Sequence, residues 1–294
     1  MDRVDFLEEF EKDLLNDGKD MTTVKSYTID VKGFLKWLQE KNVEFSGSLT
    51  RFYIVSYKDF LSENSYKVNS INKKINSLHC FNKFLLNGGF CKEQVVLPRK
   101  DKIKVASGSE QEVEVFSNKE VEEILFYLES KKSVSQRDKV VILLLLYTGL
   151  RVSELVGIKL ENIDLLTMQI QVVGKGGKFR EVPLKSNVVD EVKKYIEQER
   201  REHSLNESKF LMLTQRAGKL DRDTVNKILR KHGRQLNLVM KPHKFRHTFC
   251  TRLLNKGVPL STVAKLAGHV SVNTTTSFYI NTSREDKQNA VSLL

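Results

Sequence analysis

Residues 139–155 read KVVILLLLYTGLRVSEL, and this stretch separates a membrane segment from a buried helix. The apolar run from Val140 to Leu146 is far shorter than the roughly 20 residues that span a bilayer. Lys139 stands before it and Arg151 after it. An apolar run of this length between charged residues is the centre of a globular core helix. The chain as a whole agrees, with 40% hydrophobic and 29% charged residues over 294 positions, a soluble composition of a size that suits two domains.

Upstream of this helix the pattern is helical throughout. Val4 to Leu15 carries apolar residues at helical spacing, and Thr22 or Thr23 is expected to cap a second helix with Val24, Val31, Phe34 and Leu38 on its stripe. Thr50 opens a third helix through Leu61, and a fourth runs from about Asn69 to Leu86, closed by Gly88-Gly89. Lys73, Lys74, Asn76, Ser77 and Lys83 lie opposite the apolar stripe of the fourth helix, a solvated face that could meet a polyanion. Residues 97–115 show no sustained period and hold a proline, the basic cluster Arg99, Lys100, Lys102 and Lys104, and a Ser/Gly stretch, the marks of a linker.

Downstream, Ser117 and Glu120 form a capping box that opens the second domain. Met168 to Val173 alternates, Gly174 to Gly177 turns, and Phe179 to Leu184 returns, which is one β-hairpin with Lys175 in its turn. Helices are expected near 187–203, 223–236, 244–256, 259–266 and 272–280. The fold class is therefore mainly α, a helical N-terminal domain (1–96) and a mixed, mostly helical domain with a small β element (116–282), joined by the linker 97–115. A tail, 283–294, ends in Val291, Leu293 and Leu294, apolar residues that need a surface to cover them.

The net charge is +12 but unevenly placed. Residues 1–20 are net −5, residues 21–110 net +7 and residues 111–294 net +10. Both larger segments are suited to a polyanionic partner, and the acidic start is not. The N-terminus MDRVDFLEEFEKD has no apolar signal region, which points to the cytoplasm and away from a membrane. Cys80, Cys91 and Cys250 are odd in number and lack metal-ligand spacing, so neither a disulfide framework nor a zinc site is expected.

The remaining signal is chemical. Arg151, Lys175, His243, Arg246 and His269 supply cations and proton donors, and Tyr279 follows them with an oxygen nucleophile. Attack on a phosphodiester builds negative charge on the non-bridging oxygens, which planar guanidinium forks match in a bidentate way. A flexible lysine can protonate a departing oxygen, and surrounding cations help a phenol ionise. The set points to reversible breakage of DNA through a phosphotyrosine. There is no GxxxxGK[ST] loop and no carboxylate cluster for magnesium, so no cofactor, ATP or metal is expected.

TGLRVSEL (148–155), GKGGKFREVPL (174–184), HKFRH (243–247), LAGH (266–269) and TTTSFY (274–279) resemble, in this order, the motifs of the tyrosine recombinases, or phage-integrase family. The likeness is close to the Xer recombinases and to integrases and resolvases of mobile elements. It covers about residues 115–282, with the helical region before it similar to that family's core-binding domain. The resemblance implies that Arg151 and Arg246 clamp the phosphate and that Lys175 protonates the leaving 5′-oxygen, with Lys178 a second candidate. It implies further that His243 assists proton transfer, His269 hydrogen-bonds the phosphate, Glu154 orients the clamp and Tyr279 is the nucleophile. It also implies a tetramer on double-stranded DNA carrying a specific site, of one chain or with a paralogue, a Holliday junction, and a tail exchanged between subunits. Lys73, Lys74, Lys83, Arg99, Lys100 and Lys102 are the candidate DNA contacts.

Two other readings remain open at this level: a type IB topoisomerase, which shares the chemistry, and a non-catalytic DNA-binding regulator on the same fold. The target site, any accessory proteins, and the choice among chromosome-dimer resolution, cointegrate resolution and integration are not encoded in these motifs.

Overall fold

A computed structural model describes residues 5–104, 113–131, 133–174 and 179–268. The chain divides into two compact units between residues 109 and 110. No helix among the described residues is long and apolar enough to cross a membrane.

In the first unit, four helices share one aromatic-rich core: α1 (Phe6–Asn16), α2 (Met21–Glu40), α3 (Arg51–Glu63) and α4 (Val68–Asn87). Thr50 caps α3, as its sequence implies. The cap of α2 is Asp20, not Thr22 or Thr23; its Oδ1 accepts from both of their backbone N–H groups at 3.0 Å. A carboxylate is the better acceptor at the positive end of a helix. The expected solvated face of α4 holds for Lys73 and Lys83, which are exposed, and is corrected at Ser77 and Lys74. Ser77 is fully buried and donates to Asp30 Oδ2 of α2 at 2.8 Å. Lys73 and Lys74 turn onto the same carboxylate, at 2.9 and 3.2 Å. Asp30 is only 4% exposed, and a buried carboxylate demands such partners.

The stretch expected to begin the linker is built into this unit. Pro98–Asp101 forms a helical turn, α5. The buried carboxylate of Asp101 takes the Arg51 guanidinium and accepts from Leu97 N. Asn72 brackets Ile103, accepting from its N–H at 2.8 Å and donating to its carbonyl at 3.0 Å. Of the predicted linker, residues 105–112 lie outside the described residues.

The second unit is organised around α7 (Gln136–Thr148). From Val140 to Leu146 no side chain is more than 4% exposed, so the helix is covered on all sides. Around it lie α6 (Asn118–Ser130), opened by the Ser117/Glu120 capping box, the four-residue α8 (Val152–Leu155), and α9 (Ser186–Tyr195), which continues as a π turn through Arg200. α10 (Arg222–Leu236), α11 (Pro242–Asn255) and α12 (Leu260–Ala267) complete the described helices. The hairpin is present as β2 (Gln169–Val173) and β3 (Phe179–Pro183), antiparallel with Gln169 opposite Pro183 and Val173 opposite Phe179. A third strand, β1 (Ile163–Asp164), pairs with β2. Two residues are too few to show an alternating pattern, which is why the sequence did not reveal it. The expected helix at 272–280 and the tail 283–294 lie outside the described residues.

One polar chain crosses this core. Asp138 of α7, 2% exposed, accepts from His232 Nε2 at 3.0 Å and from Arg137 Nη2 at 3.0 Å, and His232 Nδ1 lies 2.9 Å from the Tyr127 hydroxyl. Burial alone raises the Asp138 pKa, but hydrogen bonds and charge from His232 and Arg137 outweigh it and hold the carboxyl well below the usual range. A depressed carboxylate stabilises fully above its unfolded pKa of about 4, and that contribution fades as the pH falls through this value towards the folded one. Asp138→Ala should therefore cost about 3–5 kcal/mol at neutral pH. Urea denaturation at several pH values should show a shallower loss of stability on acidification in the variant than in the wild type.

Candidate active site

The site begins where α7 ends. Gly149 takes the left-handed conformation (φ 62°), and a Cβ there would stand 2.4 Å from Phe249 Cδ1. The turn delivers Arg151 to the N-cap of α8, and Glu154 folds back in a capping box. Glu154 Oε2 accepts from Arg151 N at 2.7 Å, and Glu154 Oε1 from Arg151 Nη1 at 2.9 Å. Arg151 Nη2 donates to the carbonyl of Gly268, the left-handed cap of α12, at 2.8 Å.

A residue that the sequence reading did not single out completes this corner. Arg180 of β3 donates from Nη1 and Nη2 to the two Glu154 oxygens, both at 2.9 Å, and from Nε to the Leu266 carbonyl at 3.1 Å. The signal was available: Arg180 shares its strand face with buried Val182, and a charged residue in an inward register requires a partner. Burial pushes the Glu154 carboxyl up, but Arg180 and the Arg151 N–H bring it below its ordinary value. It is a carboxylate at neutral pH.

α11 supplies the second arginine. Arg246 is 4% exposed; its Nη1 donates to the Gly149 carbonyl at 2.5 Å, and its buried Nη2 has no hydrogen-bond partner among the described residues. Burial and then the neighbouring Arg151 charge lower its pKa to about 10, which leaves it charged at neutral pH. Arg151 and Arg180 thus share the Glu154 carboxylate, and Arg246 is held beside them by the Gly149 carbonyl. A guanidinium with a free N–H beside a second one, in a partly desolvated corner, is a receptor for a tetrahedral oxyanion.

His243 lies exposed on the first turn of α11. His247 stands beside it with ring centroids 6.3 Å apart, because a spacing of four places both on one helix face. Burial and the His243 charge lower the His247 pKa. Lys175, Lys178, His269 and Tyr279 lie outside the described residues. Among the candidate DNA contacts, Lys83, Arg99 and Lys100 are exposed, Lys102 is half-buried, and Lys73 and Lys74 pair with Asp30. No group of three His, Cys, Asp or Glu side chains gathers among the described residues.

Known proteins are similar to the chain over both of its units. Residues 114–286 match the phage integrase family, and residues 7–89 match the phage integrase N-terminal SAM-like domain. The chain is 32% identical to the TnP I resolvase of Bacillus thuringiensis over 99% of this chain and 100% of that protein. It is 32% identical to tyrosine recombinase XerC of Staphylococcus aureus, covering 86% and 84% of the two chains. Its fold is similar to the Tn1549 transposon integrase in complex with a circular intermediate DNA (TM-score 0.72, 18% identity, 98% of each chain). It is also similar to XerH recombinase bound to its difH substrate (TM-score 0.73, 18% identity, 97% and 83%).

The Gly149 turn is testable by itself. Gly149→Ala combines a positive φ with a clash against a buried ring, and thermal denaturation should show a loss of about 1–3 kcal/mol.

Proposed function

The chain belongs to the phage integrase family of tyrosine recombinases, and we propose that it cuts and rejoins duplex DNA at a specific site with Tyr279 as its nucleophile. The Tyr279 hydroxyl oxygen attacks the scissile phosphorus, the bond to the 5′-oxygen breaks, and a 3′-phosphotyrosine forms that keeps the energy of the phosphodiester. Arg151 and Arg246 hold the non-bridging oxygens as charge builds on them. Lys175 gives its proton to the leaving 5′-oxygen, His269 donates to the phosphate, and His243 assists proton transfer at the tyrosine or at the incoming hydroxyl. A 5′-hydroxyl from the partner duplex reverses the step. Two such exchanges, through a Holliday junction, recombine two sites.

The observation that carries this reading is the buried Arg246 Nη2 without a partner among the described residues, beside an Arg151 that Glu154 and Gly268 hold in place. A structural ion pair would have used that N–H; a phosphate clamp leaves it for substrate. In the same proposal, residues 1–96 bind DNA as the core-binding domain, 116–282 perform the chemistry, and the tail 283–294 passes to a neighbouring subunit in a tetramer. The full-length similarity to a resolvase favours resolution of a mobile element as the setting.

The test is covalent trapping on nicked fragments of the DNA flanking the gene, read on denaturing gels. Wild type should form an adduct and Tyr279→Phe none, with DNA binding retained in both; an equal adduct from Tyr279→Phe would refute the assignment. Arg246→Ala should slow adduct formation by about 10²–10³-fold, the usual effect of losing one oxyanion donor.

Binding should also report the basic surface. Replacing exposed Lys83, Arg99 or Lys100 should reduce the slope of log affinity against log salt by about one per phosphate contact removed. Lys74, which is ion-paired with buried Asp30, should cost stability as well when replaced.

A further inference from the structure

Glu154 could have formed a closed pair with Arg151 alone. A guanidinium and a carboxylate three residues apart readily adopt the two-toothed geometry, which would spend the charge of Arg151 on its own neighbour. The observed geometry differs. Arg180 takes both Glu154 oxygens, at 2.9 Å each, and leaves Arg151 a single side-chain contact, Nη1 to Oε1 at 2.9 Å. The two arginines also differ in cover: the Arg180 side chain is 14% exposed and Arg151 is 35% exposed. Arg180 is spent within the protein, while Arg151 keeps an open edge.

Arg180 reaches further. Its Nε binds the Leu266 carbonyl near the end of α12, and a Cβ on Gly268 would stand 2.6 Å from its Nη1. Gly268 is the residue whose carbonyl receives Arg151 Nη2. One guanidinium therefore ties β3, α8 and the end of α12 together, and it does so around both fixed contacts of Arg151.

We propose that Arg180 is a positioning residue for the phosphate clamp: by occupying Glu154 and bracing the end of α12, it fixes Arg151 and leaves its charge for the scissile phosphate. This rests on the recombinase reading of the site. Arg180 itself does not touch DNA in this role. Its removal leaves Glu154 free to close on Arg151 in a bidentate pair, so the clamp is both displaced and neutralised.

The experiment compares two nicked duplexes bearing the trapped site, one with an ordinary scissile phosphate and one with a neutral methylphosphonate there. Full-length wild type, Arg180→Ala and Arg180→Lys are assayed for Tyr279-dependent adduct, DNA affinity and thermal stability. On the ordinary substrate Arg180→Ala should lose on the order of 10- to 100-fold in cleavage rate, the scale of a misplaced catalytic group, with DNA affinity unchanged. On the methylphosphonate, which needs less positive charge, the loss should shrink markedly. An equal loss on both substrates would overturn the proposal, because a merely weakened fold taxes both alike. Arg180→Lys keeps the charge without the fork and should fall between the two; wild-type behaviour there would overturn the fork argument. Should Arg180→Ala fail to fold, Arg180→Lys carries the same two-substrate comparison. A wild type without adduct on the ordinary substrate would instead overturn the recombinase reading, and this role with it.

Discussion

The buried carboxylate of Glu154 is the constraint from which the rest of the site follows. It is 8% exposed and accepts from the backbone and guanidinium of Arg151 and from both arms of Arg180. Left without these partners, a carboxylate at that depth would cost several kcal/mol. The cost is avoided only when α8 and β3 meet, and Arg151 and Arg180 then hold the end of α12 through the Gly268 and Leu266 carbonyls. Segments distant in sequence are thereby brought into register, and a single carboxylate among Arg151, Arg180 and Arg246 leaves positive charge in surplus at this corner.

A core helix makes that meeting possible. From Val140 to Leu146 α7 is apolar on every side and so has one position in which all its faces are covered. Its end is thus a fixed point, and Gly149 converts the fixed point into a turn whose carbonyl holds Arg246 and whose continuation is Arg151. Buried polar groups play the same part elsewhere. Asp138 aligns α10 with α7 through His232, Asp30 aligns α4 with α2, and Asp101 fastens α5 to the start of α3. Hydrophobic burial brings these helices together without direction, and the paired carboxylates select the register.

Local signals read well in the sequence where local physics decides. The Ser117 capping box, the Thr50 cap, the alternation of β2 and the apolar run of α7 each depend on residues within a few positions, and each stands as expected. Signals failed where a partner lay far along the chain. Lys74 and Ser77 look solvent-facing from α4 alone, but Asp30, more than 40 positions earlier, draws them inward. The 97–103 stretch has no period of its own, yet Arg51 and Asn72 hold it. Arg180 shows in sequence only as a charge on the inward face of its strand, and its partner Glu154 comes from another segment.

The sequence by itself determined the helical class, the positions of the four long helices of the first unit, the basic character, and the ordered motifs from Arg151 to Tyr279 that identify the family. These rest on periodicity, short-range capping and residue chemistry, all of which are written along the chain. The tertiary structure alone decided which cations are spent and which are left over. That division depends on the distances between α7, α8, β3, α11 and α12, and a guanidinium's partner is fixed by where the folded chain places the nearest oxygen, not by its neighbours in sequence.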